Sequence, residues 1–312
     1  MSSSSPRAAV RPHATHDRPF YALSQRLIAM IMLTLMFAGA KLASERGVNL
    51  VEIVFYRQLF SLPIIVLAAA AGPGLASMRT QRPGLHFTRS LAGLCGMVFN
   101  FFSYILLPLA EATTIGFSMP IFGTIFSALL LREKTGIHRW SAVIIGFVGV
   151  IIIAQPQGHE TIAPLGLAVA IAAAVSSALI SILLRQIGRT EAPITTVFWF
   201  SVMSLPVVAP FMPFYASGHD LWTWILLLST GLTGGLAQIC MTTSLRWAPV
   251  SLVLPMDYSA IIWSTLLGWL LWSSWPSINT FIGGAIITAS GLYIAYREHK
   301  RIQRVRDLSA AP

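Results

Sequence analysis

The chain has 312 residues, 55% of them hydrophobic and 10% charged, with a formal net charge of +10 and a mean hydropathy of +0.71. A soluble domain carries roughly 25% charged residues, and a surface this apolar would be adhesive everywhere in water, so a water-soluble globule is excluded. Two cysteines, Cys95 and Cys240, both within apolar runs, exclude a disulfide framework and read as buried, inert thiols.

Residues 1–23 open with MSSSSPRAAVRPHATHDRPF, a polar, arginine-bearing stretch without the apolar core of a cleavable signal peptide. They read as a disordered cytoplasmic tail. Ten apolar runs follow, at 24–43, 49–71, 85–107, 109–131, 138–155, 161–187, 193–215, 220–245, 249–272 and 278–296. Runs of about 20 apolar residues cross a bilayer core as helices. The breaks are short, so neighbouring helices form antiparallel hairpins and no extramembrane catalytic domain fits between them. Residues 297–312 form a basic cytoplasmic tail.

With the amino terminus placed in the cytoplasm, all of the 21 Lys and Arg except Lys41, Arg46 and Arg57 fall on cytoplasmic segments. Arg26 and Arg89 are counted among those segments. This alternation follows the positive-inside rule and supports an even number of spans with both termini cytoplasmic. The net charge then reflects that bias and the anionic lipid beside it; no nucleic-acid partner is needed to explain it.

The chain also repeats itself. Shifted by 138 residues, GLCGMVFNFFSYILLPLAEAT (93–113) lies over GLTGGLAQICMTTSLRWAPVS (231–251), pairing Gly93 with Gly231, Gly96 with Gly234 and Asn100 with Gln238. Glycine-bearing patterns close both halves, GFVGVIII at 146–153 and GGAIITASGLYI at 283–294. Residues 24–155 and 161–296 are thus expected to be two five-helix repeats. An odd number of spans inverts the second repeat in the bilayer, a recurrent construction of secondary transporters. The fold expected is an all-α integral membrane protein of ten transmembrane helices.

Three stretches carry a family resemblance. LPLAEATTIGFSMPIFGTIFSALLLREK (107–134), with Pro120 in mid-helix and Glu133 at its exit, LVLPMDYSAIIWSTLLGWLLWSSWPS (252–277), and FYRQLF (55–60) resemble the EamA-type transporters of the drug/metabolite transporter superfamily. The resemblance runs from about residue 24 to the end of the last span. It implies a central cavity lined by spans 1–4 and 6–9, with spans 5 and 10 as scaffold. Two positions depart from the pattern: Ser274 stands nearest a helix-exit acid, and Asp257 stands where glutamate is commoner.

Several residues are candidates for binding cargo. Asp257 lies ~12 Å into its span at 1.5 Å per residue, where a charge costs at least ~2.5 kcal/mol and calls for a partner, water or substrate. A protonated Asp257 held by Tyr258 is the alternative. Arg57, also ~12 Å deep by the same rise, suits a carboxylate or an internal ion pair with Glu52 or Asp257. Glu52 and Tyr56 share a helix face. Asn100 and Gln238 can orient substrate or join helices. Trp263, Trp199, Phe99 and Phe117 are candidate cavity aromatics. Pro120 and Pro255 are expected to kink their helices, Pro255 near residue 251, and Pro206, Pro210 and Pro213 to bend the seventh span. The repeated glycines read as helix-contact positions, and Lys41 as a snorkelling cation at a helix end.

No P-loop motif occurs. The seven histidines fall in tails, breaks or helix ends, leaving no buried cluster for metal or nucleophilic chemistry; no cofactor is expected. The reading is a secondary transporter of a small organic, amino acid-like or zwitterionic metabolite. It works by alternating access in the inner membrane, with coupling to a proton or counter-substrate left open. An integral membrane enzyme acting on a lipid-borne substrate is the alternative.

Overall fold

A computed structural model describes residues 18–80, 82–129, 137–155, 163–187, 191–247 and 253–310. Among these residues the helices are α1 (Pro19–Glu45), α2 (Leu50–Ala71), α3 (Pro83–Leu106), α4 (Leu109–Gly116), α5 (Met119–Leu129), α6 (Ile137–Ala154), α7 (Pro164–Ile187), α8 (Pro193–Val208), α9 (Met212–Tyr215), α10 (Leu221–Trp247), α11 (Ser259–Trp272) and α12 (Ile278–Ala310). They form ten spans. The fourth is α4 with α5, the seventh α8 with α9, and the ninth is α11 preceded by the 3-10 turn Leu254–Tyr258. Eight spans are long and apolar enough to cross a bilayer by themselves. The chain is an all-α, multi-pass membrane protein.

Local chemistry fixes the ends. Proline opens α1, α3 and α8, where its missing N–H costs no hydrogen bond. Asn49 caps α2 by accepting from the Val51 amide at 2.9 Å. Ser273, at φ 52°, closes α11 in the left-handed conformation, its amide donating to Trp269 as in an αL cap, and the Ser274 amide donates to Gly268.

Pro120, Pro210 and Pro255 act as breaks rather than bends, while Pro206 lies inside α8. Pro120 enters α5 just after a turn at Phe117–Ser118, so the fourth span is two helices. Pro255 lies within the 3-10 turn, so the backbone departs from α-geometry around Asp257. The expected kink at 251, like Glu133, lies outside the described residues. In the seventh span a 3-10 turn, Ala209–Phe211, separates α8 from α9.

Packing has the symmetry of an exchange of halves. α1 lies on α10 as α7 lies on α3; α2 lies on α10 as α8 lies on α3; α11 meets α1 as α4 and α5 meet α7. Spans 2 and 7 touch each other, as do 4 and 9, and 5 and 10. The repeated glycines make these approaches close. A Cβ at Gly93 would stand 2.8 Å from Phe200 on the seventh span, and one at Gly231 would stand 2.4 Å from Phe60 on the second. Gly96 faces Ile180 of the sixth span, and Gly234 faces Met36 of the first. α6 and α12 meet at Gly149 and Gly283, each against the other's carbonyl oxygen.

The largest core cluster joins the first repeat to α10 through Met36, Phe37, Ala40, Ile53, Phe101 and Leu227, with Phe37 stacked on Tyr104 at 3.9 Å. The outward side chains, among them Leu67, Ile144, Ile262 and Ile282, are the lipid-facing belt such a bundle requires. Cys95 is exposed on this surface, contrary to the buried placement expected for it; Cys240 is buried. α12 runs on through the basic tail to Ala310.

Candidate functional site

The polar residues in the bundle gather at three levels: the end carrying the termini (the basic end), the opposite (far) end, and the middle.

At the basic end, Arg26 holds Asp257. Nε donates to Oδ1, and Nη2 donates to Oδ2 at 2.6 Å, a two-bond, charge-assisted clamp between α1 and the 3-10 turn. The Arg26 side chain is 5% exposed and that of Asp257 24%. Arg26 thus corrects the sequence reading, which left it among flanking cations. The helix begins at Pro19, so Arg26 is ~10 Å inside it at 1.5 Å per residue, and a buried cation persists there because a carboxylate meets it. Tyr258 does not hold Asp257. Its ring lies 4.9 Å from Phe117, and its hydroxyl fills the space beside Gly291. Trp263 packs on Ala29, Met30, Cys240 and Ala260, with its Nε1 buried and unpartnered among the described residues.

At the far end, Glu52 is fully buried. Its Oε2 lies 2.7 Å from His219 Nε2, and its Oε1 accepts from Ser217 at 3.4 Å. Trp224 stands edge-on to both His219, at 5.7 Å, and Tyr56, at 5.0 Å. The shared face of Glu52 and Tyr56 therefore meets the loop and helix that open the eighth span. Nearby, Lys41 donates to the Leu107 carbonyl at 2.6 Å and lies over the Trp272 ring, while Trp272 donates to Glu45 at 2.6 Å. Lys41 thus ties helices together rather than only reaching for water. His219 is also a correction, since a histidine in a break proves buried against an acid. His86, fully buried in α3 with Glu191 at 3.9 Å, is a second. Among the described residues no group of three or more His, Cys, Asp or Glu could hold a metal ion.

In the middle, Arg57 is 4% exposed and pairs with neither Glu52 nor Asp257, contrary to both expected partners. Its Nη1 donates to Gln58 Oε1 at 2.5 Å. Ser201 of α8 donates to the same oxygen at 3.2 Å and lies 3.3 Å from Ser61, bridging spans 2 and 7. Arg89, assigned from sequence to a cytoplasmic segment, is instead 7% exposed, with its guanidinium 4.1 Å above the Phe200 ring. Asn100 donates to Gly96 at 2.8 Å and to Ser177 at 3.3 Å, a contact that joins α3 to α7. Gln238 is half-buried on α10. Trp199 donates to the Met78 carbonyl at 2.8 Å, so it fastens the basic-end loop.

The candidates from sequence are therefore not one cluster. Asp257, Tyr258 and Trp263 lie toward the basic end, Glu52 and Tyr56 at the far end, and Arg57 between them. A pocket of about 190 Å³ lined by Ala110, Thr114, Ile261, Thr265, Thr280 and Gly284 opens between α4, α11 and α12, and none of the ionisable candidates lines it.

Comparison with known proteins agrees with this architecture. The profile of the EamA-like transporter family matches residues 21–155 and 164–296, once in each half. The chain is 28% identical to a riboflavin transporter of Vibrio cholerae over 75% of its own length and 78% of the relative's. It is 27% identical to an S-adenosylmethionine uptake transporter of Rickettsia bellii, over 81% and 86%. It is also 27% identical to a pseudopaline exporter of Pseudomonas aeruginosa, over 85% and 92%. A solved crystal structure shares the fold with a TM-score of 0.60 at 21% identity, covering 89% of this chain and 99% of its own.

Proposed function

The chain belongs to the EamA-like transporter family, and from that premise we propose that it is an alternating-access carrier of an amino acid-like, charged organic metabolite. Membership makes it a membrane transporter of small metabolites and not an enzyme. The carrier sits in the cell's inner membrane with both termini in the cytoplasm, as the arginine-rich segments favour. One observation carries the mechanism: polar contacts tie elements together at opposite ends of the bundle, the Arg26–Asp257 ion pair at the basic end and the His219–Glu52 contact at the far end. The first ties α1 to the turn that precedes α11, and the second ties α2 to the loop that precedes α10. In each working state one pair opens while the other holds, and cargo enters the polar middle layer between them. S-adenosylmethionine uptake by one relative supports an amino acid-derived cargo, while riboflavin transport by another and pseudopaline export by a third leave its identity and direction to experiment.

Uptake of labelled amino acids and their derivatives into liposomes, with and without a pH gradient, tests the proposal. Saturable uptake that shows counterflow and is lost in Asp257→Asn and Arg57→Ala supports it. Unsaturable flux, or uptake unchanged by both substitutions, overturns it.

A further inference from the structure

We propose that Arg57 and Arg89 together form an anion subsite in the transport path, one that takes a carboxylate or phosphate group of the cargo. The inference rests on the transporter reading and adds the charge class of the solute and a residue, Arg89, that the reading does not use.

Three buried arginines differ in their company. Arg26 is 4% exposed and clamped by Asp257. Arg57 and Arg89, at 4% and 7%, contact no carboxylate among the described residues. Arg57 Nε, Arg89 Nε and Arg89 Nη1 are buried without a hydrogen-bond partner among the described residues. So is Gln58 Nε2, whose oxygen is already engaged by Arg57 and Ser201. Every one of these unmet atoms is a donor. A cluster of donors with two positive charges matches a group that only accepts, and carboxylate and phosphate are the common biological ones.

Placement agrees with chemistry. Arg57 enters from the far end of α2 and Arg89 from the basic end of α3, each ~10 Å inside its helix at 1.5 Å per residue. Both reach the same stretch of α8: Arg89 lies over Phe200, and Arg57 shares the Gln58 oxygen with the next residue, Ser201. Two like charges in a dry interior repel, and an anion lying between them offsets that cost. Phe200 supports the Arg89 plane. Gly93 and Gly234 leave the guanidiniums uncrowded, since a Cβ would stand 2.9 Å from Arg89 Nη1 and 3.1 Å from Arg57 Nε.

The test uses the full chain in phosphatidylcholine nanodiscs, with unfolding temperature read against added succinate, inorganic phosphate or choline at constant ionic strength. Succinate or phosphate should raise the midpoint by about 3 °C or more, and choline should not. Arg57→Gln and Arg89→Gln should each lose the shift while remaining folded without anion, because removing an uncompensated buried cation is not destabilising. Gly234→Ala should weaken the shift, and Arg46→Gln, at the exposed far end, should keep it. No shift in the wild type, or an equal shift in Arg89→Gln, overturns the subsite. If phosphatidylglycerol in the disc gives the Arg89-dependent shift and no soluble anion does, the site holds a lipid headgroup and the cargo assignment fails. Anion binding that survives while liposomes move no solute sinks the transporter reading and leaves the subsite standing.

Discussion

Arg26 and Asp257, 231 positions apart in sequence, meet through two parallel bonds that tie the first span to the ninth. Removing one member strands the other in a poorly hydrated interior, which costs about 3–5 kcal/mol for a buried pair. Arg26→Met and Asp257→Leu should each lower the unfolding temperature markedly. The double variant should recover most of the loss, and the coupling is read from the double-mutant cycle. Additive losses would show that the pair contributes nothing as a unit.

The far-end latch has a local readout. Glu52 holds the loop Ala216–Asp220 through His219 and Ser217, and bonds to a charged group contribute about 1.5–3 kcal/mol each. In His219→Ala or Glu52→Gln, amide hydrogen exchange in that loop should speed by about tenfold or more, while exchange in the middle of α6 stays unchanged. A loop equally protected in both variants would remove the latch from the gating scheme.

Glycine positions should separate sharply. A methyl at Gly283 would stand 2.5 Å from the Gly149 carbonyl oxygen, and one at Gly231 would stand 3.1 Å from the Phe60 backbone. Gly283→Ala and Gly231→Ala should each destabilise by about 1–3 kcal/mol, as overpacking does. Gly123→Ala, in α5 with open space around it, should be neutral or slightly stabilising through helix propensity. Thermal unfolding in one detergent checks all three.

Asp220 makes a pH prediction. It caps α10 by accepting from the Thr223 hydroxyl and, at 3.2 Å, from its amide, and the hydroxyl bond does most to hold its carboxyl below the ordinary 3.8. A depressed carboxyl contributes stability above pH 3.8 and loses it as pH falls through its lower folded value. Carboxyl NMR should place the Asp220 midpoint under 3.8, and Asp220→Asn should flatten the acid limb of the stability curve. A midpoint at or above 3.8 would contradict the cap.

Much of the architecture was legible because it is local. Span length, the basic flanks and the glycine repeat each depend on neighbouring residues, and Gly93, Gly96, Gly231 and Gly234 proved to be helix contacts of the kind their pattern implied. The site was less legible. Arg57 and Asp257 were visible as intramembrane charges, but their partners were misassigned. Arg26 and Arg89 looked like flanking cations until the helix starts at Pro19 and Pro83 placed them inside. A proline some six or seven residues before an arginine was the available signal. Nothing around His219 marked it as the partner of Glu52.

By itself the sequence determined that this chain lives in a bilayer, as ten spans in two related halves, because hydropathy and helix rise are properties of short segments. Only the tertiary structure decided which charges are neutralised within the protein and which are left for a ligand. In a dry interior that depends on which helix faces meet, and a contact between residues hundreds of positions apart leaves no trace in local composition.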